Sequence, residues 1–446
     1  MKDTTVKTQK RIYFDHAATT YVDPRVEQAM RPYWSIEYGN ASALYEEGRR
    51  AKEAMDTSRK KIADILGASS DEIIFTGSGT ESDNLAILGA ARVSSGKGKH
   101  IITTAIEHHA VLNSCKQLEK EGFEVTYLPV DTDGLVSVES VRAALRPDTV
   151  LVSVMYANNE IGTIQPIAEI SKVIRNFRNT KHEIRSTKHI SSFGFRISDL
   201  AAYPLLHTDA CQAAGFCDMN VGRLGMDLLT ANGSKIYGPK GIGFLYVRRG
   251  IKLQPIVYGG GQEKRLRSGT EGVAQIVGLG EAFALAHKER EAESARLSKL
   301  RNYMIAGITE RVPKVVLNGH PTRRLPNNVN MSILDIEGEA MVLYLDEKGI
   351  ACSTGSACTS ESLDPSHVIL ALGRPYEFAH ASMRFTLGKR NTKADVDHLL
   401  EVLPGIVETL RKISPVTLEV NATSMSAPEV FAGEGLKVKA KSKSYK

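Results

Sequence analysis

Between residues 44 and 248, short apolar runs recur at intervals filled by longer amphipathic stretches: EIIFTG, HIITTA, FEVTYLPV, TVLVSVMYAN, PLLHTDA and GIGFLYV. Runs of this length, rich in Ile, Val, Leu and aromatic residues, predict strands, and the intervening segments predict helices. Parallel neighbours need a crossover between them, so this alternation predicts an α/β fold with a largely parallel sheet covered by helices on both faces. In such sheets ligands bind at the carboxyl ends of the strands, and the polar residues of this chain cluster there.

A long charged helix, about 281 to 311, leaves this unit, and NNVNMSIL, EGEAMVLYLDEKG, ASMRFTLG and a closing helix from Thr392 to about Ile413 predict a smaller α+β domain. The expected organisation is a large domain over 21–285 and a small one over 1–20 and 286–415. A basic stretch without periodicity, about 178–203, reads as an inserted surface loop, and the Ser-, Ala-, Gly- and Lys-rich tail over 416–446 reads as disordered. With 42% hydrophobic and 24% charged residues the chain can bury a real core. No window approaches the roughly 18 apolar residues of a membrane span, and the polar start MKDTTVKTQKRIYF lacks a secretion signal, so a cytoplasmic protein without membrane contact is expected. Five cysteines at 115, 211, 217, 352 and 358 suggest neither a disulfide framework nor a metal site. The net charge of +6 is concentrated in KVKAKSKSYK, a basic tail with five lysines rather than a basic face, so no direct DNA binding is expected.

LLTANGSKIYGPKGIGFLYV sets Lys235 between an apolar strand and a Gly-Pro turn. Partial shielding there lowers an amine's pKa toward a usable nucleophile and base; taken alone, such a lysine reads more plainly as structural or solvated. PLLHTDACQA ends a buried strand on Asp209. A protonated pyridine nitrogen would serve as its cationic partner, and a helix N-cap explains a lone aspartate equally well. FTGSGTESDNLAI sets a turn between strand and helix. Its free backbone N–H groups around Gly79, with the Ser78 and Thr80 hydroxyls, suit a phosphate. Strand, phosphate turn, carboxylate and lysine, in that order in one doubly wound sheet, are the parts of a pyridoxal-phosphate enzyme.

The succession DHAATT, YGNAS, FTGSGTESDN, EHHAVL, NNEIG, HTDACQ, SKIYGPKGIG, GGGQE, RSGT, STGSACTS and MRFTLG resembles the group I (NifS/IscS-like) cysteine desulfurases of the class V aminotransferase family, over about residues 11 to 415. The resemblance implies a fold-type I transferase using pyridoxal 5'-phosphate, acting as a homodimer on L-cysteine. It implies that Lys235 bonds covalently to the cofactor and moves the proton at Cα, and that His108 stacks on the ring as acid and base. Asp209 would pair with the ring nitrogen, Gln212 with the ring hydroxyl, and Asn159 with the substrate end. Ser78, Gly79, Thr80, Asn232 and Ser234 would hold the phosphate together with Thr270 from the neighbouring subunit. Arg384 would take the substrate carboxylate. Cys358 would accept the sulfur as a persulfide and carry it to an acceptor protein, such as an iron–sulfur scaffold or a tRNA-thiolation relay. Small residues around Cys358 permit the swing such a delivery needs.

The chain departs from the family pattern at Asn232-Gly233-Ser234, where Ser-Gly-His is usual, at Gly77-Ser78, which reverses the commoner order, and at Gln262, where many relatives have His. The first two changes alter the phosphate cup, and those at Asn232 and Ser234 hint at an inactive sulfur-relay scaffold; a related class V activity, a selenocysteine lyase or an aminotransferase that does not need the thiol, is the other alternative. His108-His109 as a metal pair is disfavoured because adjacent residues on a strand or loop point apart. Cys211, Cys217 and Cys352 read as packing residues.

Overall fold

The computed structural model describes residues 11–188, 203–355 and 365–414. After the short strand β1 (Ile12–Tyr13), seven strands build the central sheet: β2 (Ile73–Thr76), β3 (His100–Thr104), β4 (Glu124–Leu128), β5 (Thr149–Ser153), β6 (Leu205–Asp209), β7 (Leu228–Asn232) and β8 (Gly243–Val247). Their spatial order is β2-β8-β7-β6-β5-β3-β4, and only β8 runs against its neighbours. Every residue of β2, β3, β5, β6 and β8 is buried, as a sheet covered on both faces demands, whereas the edge strand β4 is largely not.

A second, antiparallel sheet has the order β12-β13-β10-β9, from β9 (Val315–Leu317), β10 (Asn328–Ile333), β12 (Ser353–Thr354) and β13 (Ser382–Thr386). The strand between them in sequence, β11 (Ile350–Ala351), pairs in parallel with β1, so the start of the described chain joins this second unit. A 39-residue helix, Val273–Arg311, serves both units. Its first half, Ala274 to Ala286, belongs to the core over the large sheet, and its second half, Leu297 to Ile308, to the core of the small one. It begins earlier than its charged portion predicts because the first turns are apolar and buried, without the alternating charges that mark the exposed part. The closing helix Lys393–Ile413 starts where expected, with Thr392 and Asp395 forming a reciprocal cap.

The stretch read as an inserted loop from residue 178 differs in its first part: helix Ile167–Lys188 runs straight through it. No Gly or Pro interrupts these residues, and the Arg178 guanidinium is tied to the Asp227 carboxylate and the Pro204 carbonyl. Residues 189–202 and the tail over 415–446 lie outside the described residues. No helix among the described residues is long and apolar enough to cross a membrane.

Candidate active site

Five parallel strands deliver the sequence-predicted residues to one end of the large sheet. β2 leads into Ser78 and Gly79, β3 into His108, and β5 into Asn159. Asp209 is the last residue of β6, and β7 ends on Asn232, followed by the single turn Gly233–Lys235. This is the edge at which open α/β sheets bind ligands.

The turn after β2 is a cup. Ser78 caps helix Gly79–Ser94, its Oγ accepting from the Glu81 N–H at 3.1 Å, so the positive end of a 16-residue helix points out of the sheet. A Cβ on Gly79 would lie 2.7 Å from Cys211 Sγ and 3.0 Å from Asn232 Nδ2, so only glycine fits. Asn232 Oδ1 is buried with no hydrogen-bond partner among the described residues, while Thr80 is exposed and Ser234 half-buried. Cys211, expected only to pack, thus lines the cup, where burial foremost, and Asp209 next, push its thiol pKa upward. Glu81 accepts from the Gly77 N–H (2.8 Å) and from Arg267 (2.9 Å), tying the RSGT segment to the cup; Thr270, three residues on, is exposed.

Segment 15–20 stitches the site together. Lys235 Nζ donates to the Ala18 carbonyl at 2.5 Å, and Gln212 Nε2 to the Ala17 carbonyl at 3.0 Å. Thr20 N–H donates to the Ser234 carbonyl, and Thr20 Oγ1 accepts from the Tyr237 N–H (both 2.8 Å). Tyr237 holds φ at 62°, a left-handed conformation two residues beyond the lysine that costs a bulky side chain strain. Asp209 Oδ1 accepts from the Cys211 N–H at 2.9 Å, so the aspartate caps the following turn while sitting at the strand end. His108 caps helix His109–Lys120, its Nδ1 accepting from the Ala110 N–H at 3.1 Å, which assigns the neutral ring's proton to Nε2.

The small sheet contributes Arg384, on β13 and 2% exposed. Its guanidinium donates to Asp15 Oδ1 (2.9 Å) and to the Asn159 carbonyl (3.1 Å), while its Nε makes no hydrogen bond among the described residues. Asn159 therefore meets Arg384 through its backbone.

Four acidic residues inside the quoted motifs escaped the sequence reading. Asp15 holds Arg384 in place. Asp83 and Glu107 lie buried behind Asp209: burial, then the charge of Asp209, drives the Asp83 carboxyl upward, and burial lifts Glu107 to about 8. His207 sits between Ser153 Oγ (2.8 Å) and Thr230 Oγ1 (3.2 Å), with its Nε2 3.6 Å from Asp83 Oδ1, and its pKa is lowered to about 4 by burial. Glu160, beside Asn159, is raised to about 7 by burial, against the pull of Ser366, Arg384 and His108. Nothing in their sequence neighbourhood sets them apart from solvated carboxylates. Cys358 lies outside the described residues, which stop at Gly355 and resume at Pro365.

The profile described as Aminotransferase class-V matches residues 12–183 and 190–399. The chain belongs to this family. A cysteine desulfurase IscS of Methanosarcina thermophila is 50% identical over 408 residues, 92% of this chain and 95% of the relative. Among solved structures, a NifS-like protein superposes with a TM-score of 0.79 at 34% identity, covering 90% of this chain and 100% of that one. SspA, solved in complex with cysteine, does so at 0.70 and 36% identity, covering 85% and 99%. Class-V aminotransferases work with pyridoxal phosphate, and the donor set fits it: a helix N-terminus and a glycine-only cup for phosphate, a buried carboxylate for a pyridinium nitrogen, and an amine on the turn that follows the adjacent strand for the aldehyde.

Proposed function

We propose that this protein converts L-cysteine to L-alanine and leaves the sulfur as a persulfide on Cys358. It is a pyridoxal-phosphate-dependent cysteine desulfurase, a reading supported by the identity to the Methanosarcina thermophila relative. The observation that carries it is the convergence of Lys235, Asp209 and His108 at neighbouring strand ends, bridged to the buried Arg384 through segment 15–20 and Asn159.

When bound, pyridoxal phosphate supplies an electron-withdrawing ring that stabilises negative charge at the substrate's Cα. Lys235 would anchor the cofactor and move the proton at the substrate's Cα. His108 would serve as acid and base, Asp209 would favour a protonated ring nitrogen, and Gln212 would donate to the ring hydroxyl. Ser78, Gly79, Thr80, Asn232 and Ser234 would hold the phosphate, joined by the partner subunit's Thr270. Arg384 grips the substrate carboxylate beside Asn159 with the fork geometry a carboxylate matches. The substrate's Cβ–S bond breaks, an S–S bond to Cys358 forms, and a proton ends on the new methyl group. Carbon is reduced as the two sulfurs are oxidised, so no outside electron donor or acceptor enters this half of the reaction. The outer sulfur then leaves for an acceptor protein serving iron–sulfur cluster assembly or tRNA thiolation, which restores the thiol.

Residues 21–285 act as the cofactor-binding unit, and 1–20 with 286–415 as the unit that carries Cys358. The working form is a homodimer. Thr270 is exposed within one chain, as are Trp34, Ile36, Tyr38, Leu44 and Tyr45, and a groove of about 840 Å3 joins Leu44 to Gln262 and Glu271. Four cysteines without disulfides among the described residues accord with the reducing cytoplasm.

The test is alanine formation from L-cysteine by the holoenzyme with a thiol reductant, for wild type and Cys358→Ala. Alanine from wild type alone identifies Cys358 as the sulfur acceptor. Alanine from both points to another class V activity, and from neither to a scaffold.

A further inference from the structure

Glu160 is 2% exposed and its main chain is immobilised. Its N–H donates to Asn158 Oδ1 at 2.8 Å, and its carbonyl accepts from Asn328 Nδ2 (3.0 Å) and Asn330 Nδ2 (3.2 Å) on β10 of the small sheet. The side chain reaches both flanks of the Cys358 segment. Oε2 accepts from Ser366 Oγ at 2.5 Å, and Ser366 in turn caps helix His367–Ala371 by accepting from the Ile369 N–H at 3.2 Å. On the other flank, a Cβ built on Gly355 would stand 2.7 Å from the same Oε2, so the backbone of Gly355 lies against this carboxylate and any larger residue there would have to displace it. Asn159, next in the chain, hands its carbonyl to Arg384, and Arg384 and His108 are both within electrostatic reach of Glu160.

We propose that Glu160 is a positioning residue for sulfur transfer: one buried carboxylate pins Gly355 and Ser366 side by side and fixes the roots of the Cys358 segment to the strand end that presents Asn159 and Arg384 to the substrate. The inference rests on the desulfurase reading, in which Cys358 must reach the substrate sulfur. Loss of the anchor slows persulfide formation while the cofactor and the carboxylate grip stay in place.

The experiment compares holoenzymes of wild type, Glu160→Ala, Glu160→Gln, Ser366→Ala and Gly355→Ala. Two readouts are taken from each. Titrating L-cysteine while following the cofactor's visible absorbance reports substrate binding, and quenched single turnovers analysed by mass spectrometry report the Cys358 persulfide. Glu160→Ala, Ser366→Ala and Gly355→Ala are expected to slow persulfide formation about tenfold or more, the scale of one charge-assisted hydrogen bond, with half-saturating L-cysteine within about twofold of wild type. Glu160→Gln, which keeps an acceptor for Ser366, is expected to recover most of the rate. Should Glu160→Ala fold poorly, the two flank variants carry the comparison. Persulfide rates near wild type in all variants overturn the proposal alone, as does a loss of substrate binding that matches the loss of rate. Undiminished alanine formation by Cys358→Ala overturns it together with the reading beneath it.

Discussion

Arg384 is shared between the Asp15 carboxylate and the Asn159 carbonyl, with its Nε left over. A lysine cannot supply a planar fork there. Arg384→Lys is therefore expected to raise the half-saturating L-cysteine concentration about tenfold or more in initial-rate assays, with a smaller effect on the rate at saturation. The buried titratable layer makes a second prediction. Glu107 is lifted from 4.5 to about 8 by burial, so the folded chain holds a proton the unfolded chain releases, and stability falls as pH rises through that window. His207 is lowered from 6.5 to about 4, so the unfolded chain takes up a proton the folded one refuses, and stability falls as pH drops from about 6.5 to about 4. The two windows overlap and their slopes offset each other between about pH 4.5 and 6.5, so urea midpoints should be level there and fall from about pH 6.5 to 8, and Glu107→Gln should flatten that alkaline fall; an unchanged slope in that variant would sink the assignment. Lys235 and Asp209 stood out as candidates because each follows an apolar run, whereas His108 and Arg384 were implied only by the motif resemblance. Asp83, Glu107 and Glu160 were not legible, since a carboxylate in a motif looks the same whether solvated or sealed.

The elements were read well where hydrophobic period and breakers coincide and less well where they part. The six apolar runs became strands because each is short, mostly apolar and set apart from its neighbours by turns or helices. The helix carried past residue 178 shows the converse: polar, aperiodic sequence still extends a helix when no breaker intervenes and a side chain such as Arg178 is anchored. Contact between helices is just as hidden in sequence. A Cβ on Gly280, in helix Val273–Arg311, would meet Ser58 Cβ at 2.9 Å on helix Glu46–Leu66. Gly280→Val should therefore cost about 1–3 kcal/mol by overpacking, seen as a lower urea midpoint, while the cofactor's absorbance in native buffer is kept.

At the scale of the whole molecule, the exposed Thr270 and the proposed homodimer make a prediction about mixed assemblies. Lys235→Ala and Thr270→Ala homodimers should each be impaired, the first without a covalent cofactor bond. Unfolded together and refolded, they should form heterodimers in which one site has both residues intact, and alanine formation should reappear; no recovery would place Thr270 in its own chain's site or in none. The long helix has a consequence of a different kind. No residue between Ala286 and Leu297 is buried, but Glu289 pairs with Arg25 and Lys389, Arg290 donates to the Cys217 carbonyl and Arg296 to the Gly388 and Asn391 carbonyls, so the stretch is free to vary only at exposed positions such as Lys288, Ala292 and Ala295. Its length is not free to vary. Splicing one extra residue into a helix turns everything beyond it by about 100° and advances it about 1.5 Å, which would swing Arg384 out of phase with Lys235. Drift in letters at those exposed positions, but not in count, is the evolutionary signature expected of a stretch that works as a ruler.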